Sequence, residues 1–238
     1  MNALPPLGFA AVAFLSTLAG GSAALRWPGR IHSLAALAGG VVLAAAFFDL
    51  LPSAAERADE IHLSLQWPLG AALGGFLAFY VLERFLHHHH EIEESPDQAG
   101  LIGAAGFVVH SFFDGLAIGL GFRVDTALGV LVSLAVIGHD FSDGLNTVSY
   151  LVTHRQPAHR SRWFLLADAA APLLGAAVAT VVDVPAAVLP IAIGFFAGLF
   201  VYAASSVLLP QARMLSLRRA LPLTLAGAGV MFLITRLA

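Results

Sequence analysis

"HSFFDGLAIG" (110–119) and "HDFSDGLNTV" (139–148) are nearly the same phrase, written twice 29 residues apart. Each opens on histidine, places aspartate four residues later and follows it with Gly-Leu. Both lie within long apolar runs. An ionised aspartate at the centre of a spanning helix costs about 2.5–3.5 kcal/mol on insertion scales. Groups of this kind survive in a bilayer only when they face inward and have partners. The repeated phrase therefore predicts two helices packed around a shared polar interior.

The rest of the chain agrees with a membrane setting. Its 238 residues are 58% hydrophobic and 11% charged, with a mean hydropathy of +0.83. Soluble domains carry about 25% charged residues. The apolar runs are long and continuous, which suits helices and not the short alternating strands of a membrane barrel. The expected fold is all-α and polytopic, one transmembrane domain over 1–238, with eight spans near 3–25, 31–53, 66–86, 99–122, 126–152, 162–182, 185–209 and 215–237. Each approaches the ~20 residues needed to cross the hydrocarbon core. The first span has no basic leader and outruns a signal-peptide core, so it reads as a retained helix. Cysteine is absent, which removes disulfides and thiolate metal ligands.

All cations are arginine. Arg26, Arg30, Arg84, Arg155, Arg160, Arg162, Arg213, Arg218 and Arg219 fall on one side of the eight spans; Arg57, Arg123 and Arg236 fall on the other. Cytoplasmic loops carry the arginine excess, so both termini are expected outside, in a plasma or bacterial inner membrane. A second repeat closes spans 2 and 7: "FFDLLPSA" (47–54) and "SSVLLPQA" (205–212). These helices run in opposite directions, which suggests that spans 1–3 and 6–8 are inverted copies around spans 4 and 5. Inverted repeats with a midplane site between them are a transporter pattern.

Inside the spans lie His110, Asp114, His139, Asp140, Asp143, Asp49 and Asp168, with no lysine or arginine nearby to neutralise them. Residues four apart share a helix face, so His110 with Asp114 and His139 with Asp143 form matched pairs on adjacent helices. Asp140 and Ser111 each follow the motif histidine, about 100° around. Nitrogen and oxygen ligands suit Zn²⁺, Fe²⁺, Co²⁺, Mn²⁺ and Cd²⁺. Satisfied His–Asp pairs in a helix core, or a proton relay, would use the same residues. Pro172 and Pro190 each free a backbone carbonyl within a span. After span 3, His87, His88, His89 and His90 open a histidine-rich cytoplasmic loop (87–98), read as a metal-collecting segment or a plain solvated loop.

These marks resemble the ZIP (Zrt-, Irt-like protein) family of divalent-metal transporters. The resemblance rests on the two motifs, on "FFDLLPSA" and on "AGLFVYAASSVLLPQA" (197–212). It implies a 3+2+3 inverted-repeat bundle that imports Zn²⁺, or Fe²⁺, Mn²⁺ or Cd²⁺, into the cytoplasm. By motif it carries over His110, Ser111, Asp114, His139, Asp140 and Asp143 as metal ligands, often around two ions, and it brings a homodimer within expectation. The chain departs from the family pattern in several places. Asp140 and Asp143 stand where glutamate is usual, and Ala171 stands where many members have glutamate before the span 6 proline. Ser206-Val207 replaces His-Glu, and Asp49 replaces histidine before Leu-Leu-Pro. The second metal position is thereby put in question, with Asp49 and Asp168 as candidate secondary or pathway sites. No cofactor beyond the transported ion and no nucleic-acid partner is expected. Two rival readings remain. One is an intramembrane metal-dependent hydrolase, against which stand the lack of HExxH and of a partnered nucleophile. The other is a proton-coupled transporter of an organic solute.

Overall fold

The computed structural model describes residues 3–26, 31–92, 96–153, 156–182, 184–185 and 187–237. All regular structure among them is helical. Helix α1 is Leu4–Arg26. Helix α2 (Ile31–Ala45) runs through a π-turn, Ala46–Leu50, into α3 (Leu51–Glu60). Next come α4 (Gln66–Ile92), α5 (Pro96–Val124), α6 (Thr126–Thr153) and α7 (Ala158–Val181). Helix α8 (Leu189–Tyr202) passes through a second π-turn, Ala203–Leu208, into α9 (Leu209–Ala212), and α10 (Leu217–Leu237) ends the bundle.

Seven stretches among the described residues are long and apolar enough to cross a membrane, and Gln66–Leu82 is a shorter apolar helix where the third span is expected. The chain is an all-helical polytopic membrane protein. At the histidine-rich segment the backbone stays helical to Ile92 and resumes at Pro96. The side chains of His87, His88, His89 and His90 lie outside the described residues.

Both copies of Leu-Leu-Pro meet a π-turn at the same place. Pro52 and Pro210 each sit in the first turn of the helix that follows, where a missing N–H costs least. The helix pairs also correspond. Helix α1 packs on α6 as α7 packs on α5, and α4 packs on α8 as α10 packs on α2. Exchanging α1 with α7, α5 with α6, α2 with α8 and α4 with α10 returns the same set of pairs.

Glycines set the register of these contacts. A Cβ on Gly144 would overlap the Thr17 carbonyl, and one on Gly20 the Phe141 carbonyl. On the other side Gly115 meets the Pro172 carbonyl and Gly175 the Phe112 carbonyl. Phe112 and Phe141 each lie two residues past a motif histidine, so the correspondence holds residue by residue. The Gly of each His-x-x-x-Asp-Gly motif thus serves close backbone approach.

Helices α5 and α6 form a hairpin whose turn is the single residue Asp125. Its carboxylate caps α6 by accepting from the Leu128 N–H at 2.8 Å, a helix N-terminal cap. Arg57 at the end of α3 reaches this turn, donating to the Val124 carbonyl at 3.3 Å and pairing with Asp125 at 3.5 Å. The pair is half exposed, so it contributes under about 1 kcal/mol.

Candidate metal centre

The hairpin explains why the motif is written twice. His110 lies 15 residues before Asp125 and His139 lies 14 after it. At ~1.5 Å rise per residue, both imidazoles sit at one depth, about 22 Å from the turn. The helices are antiparallel, so the i+4 aspartates fall on opposite sides of that level. Asp114 lies one turn toward Asp125, and Asp143 lies one turn away from it.

The contacts follow this scheme. Asp114 Oδ2 lies 3.3 Å from His110 Nε2 and 3.4 Å from His139 Nε2. Asp143 Oδ2 lies 3.7 and 3.5 Å from the same two nitrogens. One atom from each of the four residues falls within 4.8 Å of every other. A tetrahedral ion bound at about 2.0–2.1 Å has ligand-to-ligand edges of about 3.3–3.4 Å. The two imidazoles and two carboxylates therefore nearly match such a site, with the longer edges leaving it slightly open.

The hydrogen bonding around the site also favours a cation. His139 Nδ1 lies 2.9 Å from the Ala135 carbonyl, one turn back. With Nδ1–H donating there, Nε2 is turned toward both carboxylates and lies 3.4 Å from Asp114 Oδ2, an orientation typical of metal-binding histidine. Asp114 Oδ1, Asp140 Oδ1 and Asp143 Oδ2 are buried with no hydrogen-bond donor among the described residues. Buried carboxylate oxygens are normally paired, and three carboxylates in one interior that each keep an orphaned oxygen call for a positive charge among them. The rings are held by aromatic edges: His110 against Phe79 at 5.5 Å and His139 against Phe200 at 6.0 Å between centroids.

The remaining expected residues are placed differently. Ser111 and Asp140 are outside the four-residue group. Ser111 donates its hydroxyl to Asp168 Oδ1 at 2.6 Å. Asp140 Oδ1 stands 3.7 Å from His139 Nε2, and its Oδ2 accepts a 3.5 Å bond from Thr17 on α1. Asp168 also accepts from Thr147 at 2.8 Å, so both its oxygens are used. Asp49 is buried in the first π-turn, outside the group, and its Oδ2 lacks a donor among the described residues. The sequence reading missed Thr147, Thr17 and the Ala135 carbonyl. Thr147 could have been found, because it lies one turn past Asp143 on the same face.

Comparison with known proteins completes the description. The family described as ZIP Zinc transporter matches residues 6–101 and 97–235. A provisionally named zinc transporter of Arabidopsis thaliana is 28% identical over 196 residues, covering 79% of this chain and 30% of its own length. Zinc transporter SLC39A7 of Mus musculus is 30% identical over 155 residues, 58% of this chain and 32% of its own. The human protein of that name is 32% identical over 133 residues, 52% of this chain and 28% of its own. The chain thus spans about a third of the length of the curated relatives it matches.

Proposed function

Because the chain belongs to the ZIP zinc transporter family, we propose that it carries divalent transition-metal ions, zinc foremost, across a cell membrane into the cytoplasm. The observation behind this reading is the convergence of one ligand atom from each of His110, Asp114, His139 and Asp143 to within 4.8 Å of one another. His110, Asp114, His139 and Asp143 hold the ion in transit. Two imidazoles with two carboxylates suit Zn²⁺, and they accept Fe²⁺, Mn²⁺ and Cd²⁺ in the same positions. The arginine distribution supports entry from the side of Arg57 and Arg123 and exit on the side of Arg84, near the histidine-rich segment.

Alternating access is built from the paired repeats. Helices α1, α5, α6 and α7 pack chiefly among themselves and contain the centre. Helices α2–α3, α4, α8–α9 and α10 form the second group. In this reading the two triplets are inverted copies, and the first group moves against the second to expose the ion to each side in turn. The hydrolase alternative gives way to membership of a transporter family, and an organic-solute carrier has no observation in its favour.

The test is uptake of radioactive Zn²⁺ into proteoliposomes, wild type beside Asp143→Ala, with Mn²⁺, Fe²⁺ and Cd²⁺ as competitors. Uptake by wild type and its loss in the variant are expected. Equal uptake by both, or none by wild type reconstituted in a folded state, would overturn the proposal.

A further inference from the structure

Asp168 is fully buried on α7, and it reaches both helices that carry the centre. Its Oδ1 accepts from Ser111 on α5 at 2.6 Å, and its Oδ2 accepts from Thr147 on α6 at 2.8 Å. The two donors occupy telling positions. Ser111 is the chain neighbour of His110 and lies three residues before Asp114, between the two α5 ligands. Thr147 lies four residues beyond Asp143, one turn along the same face. A single carboxylate therefore joins the ligand-bearing turn of one helix to the ligand-bearing face of the other.

We propose that Asp168 is a positioning residue for the metal centre: a strap that fixes the α5 ligand pair relative to the α6 pair, and not itself a ligand or a stopping place for the ion. This rests on the transport reading above. Two features carry it. First, Asp168 is outside the four residues whose ligand atoms converge, whereas its own two oxygens each have a short hydroxyl bond. A carboxylate that served as a metal stopping place would be expected to leave an oxygen orphaned, as Asp114, Asp140 and Asp143 do. Second, the strap closes a gap that the hairpin cannot. The α5–α6 turn at Asp125 lies about 22 Å from the imidazoles at ~1.5 Å per residue. A hinge that far away leaves the separation of the ligand pairs to be set by packing, and α7 supplies the local cross-tie. Groups that hold metal ligands from behind typically change metal affinity by 10–100-fold when removed.

The charge of Asp168 and its bonding can be separated. In Asp168→Asn the amide oxygen still accepts from Thr147, and the amide nitrogen donates to Ser111 Oγ. The Ser111 proton then turns to the carbonyl one turn back on its own helix, a bond serine commonly makes. The strap survives while the charge is gone. In Asp168→Ala both bonds are lost. Thr147→Val and Ser111→Ala each remove one bond and leave α7 intact, so they report on the strap even if Asp168→Ala does not fold.

The experiment is zinc uptake as a function of Zn²⁺ concentration in proteoliposomes, with zinc per chain counted on the purified proteins. Asp168→Asn is expected to keep KM within about threefold of wild type and to retain the wild-type zinc count. Asp168→Ala is expected to raise KM about tenfold or more, with Thr147→Val and Ser111→Ala in between. A collapse of uptake in Asp168→Asn equal to that in Asp168→Ala, or a lower zinc count in Asp168→Asn, would show that the charge binds the ion and would overturn the strap. Wild-type KM in Thr147→Val and Ser111→Ala together would overturn it as well. Absence of uptake by wild type would instead fail the transport reading.

Discussion

The two histidines of the centre have the same motif, the same depth and the same partners, yet they are held differently. His139 is 1% exposed, and its far nitrogen is tied to the Ala135 carbonyl. His110 is 14% exposed at its side chain, and among the described residues no backbone carbonyl holds its ring. His139 is a fixed anchor of the site, and His110 is its accessible edge. In the proposed transport role, a site that both binds and releases its ion needs this asymmetry. Four equally rigid ligands would bind tightly and release slowly, whereas one looser ligand gives the ion a first bond to make and to break.

The largest expected effect tests that difference directly. His139→Ala should lower zinc affinity by about 100-fold or more, beyond the usual cost of losing only a supporting group. It removes a proposed ligand and leaves Asp114, Asp140 and Asp143 buried with one imidazole among them. His110→Ala should cost roughly tenfold, because solvent reaches that edge and a water can fill the ligand position. Equilibrium zinc binding to the detergent-solubilised protein separates the two. Equal losses would mean that the anchor and the edge are not distinct.

Next in size are the glycines that seat each motif helix on its outer neighbour. Gly144→Ala and Gly115→Ala should each destabilise the protein by about 1–3 kcal/mol through overpacking against a carbonyl, read as matched shifts in thermal unfolding. A silent variant on one side alone would break the correspondence between α1–α6 and α5–α7. A smaller effect is expected from Asp140→Asn, which keeps the acceptor for Thr17: about tenfold or less in zinc affinity. A loss as large as that of His139→Ala would make Asp140 a ligand in its own right. The smallest is Arg57→Ala, under about 1 kcal/mol in unfolding, since its contacts are half exposed.

Much of this was legible in the chain. The four converging residues follow from i, i+4 spacing repeated on neighbouring apolar helices, because helix geometry alone brings such pairs to one face. Ser111 and Asp140 were harder. Standing next to the histidines they point about 100° away, and what they meet depends on which outer helix packs there. The sequence carries no local sign that α7 presents Asp168 to Ser111, or that α1 presents Thr17 to Asp140. The third span illustrates a different limit. Its apolar stretch is short, and the helix continues into the polar histidines, so hydropathy marked its start better than its end. The Leu-Leu-Pro repeat was visible as letters, but the π-turn before each copy was not. A π-turn reflects how the helix settles against its neighbours, and it has no composition of its own.

Those two π-turns have a consequence of their own. A π-turn holds one residue more than the α-turn it replaces, and each residue of an α-helix turns the next by about 100°. The extra residue thus shifts the sequence register by one while the sections of the rod on either side keep their faces. At the first turn Phe47 and Phe48 face outward while Asp49 and Leu50 are buried. Removing a single residue there would relax the π-turn to an ordinary α-turn and leave Leu51–Glu60 on the face it now presents, whereas the same deletion within a regular α-turn would rotate that section by about 100°. One codon lost at the π-turn is therefore absorbed where it occurs, while one lost a turn away would redial which side chains line the interior near the rim.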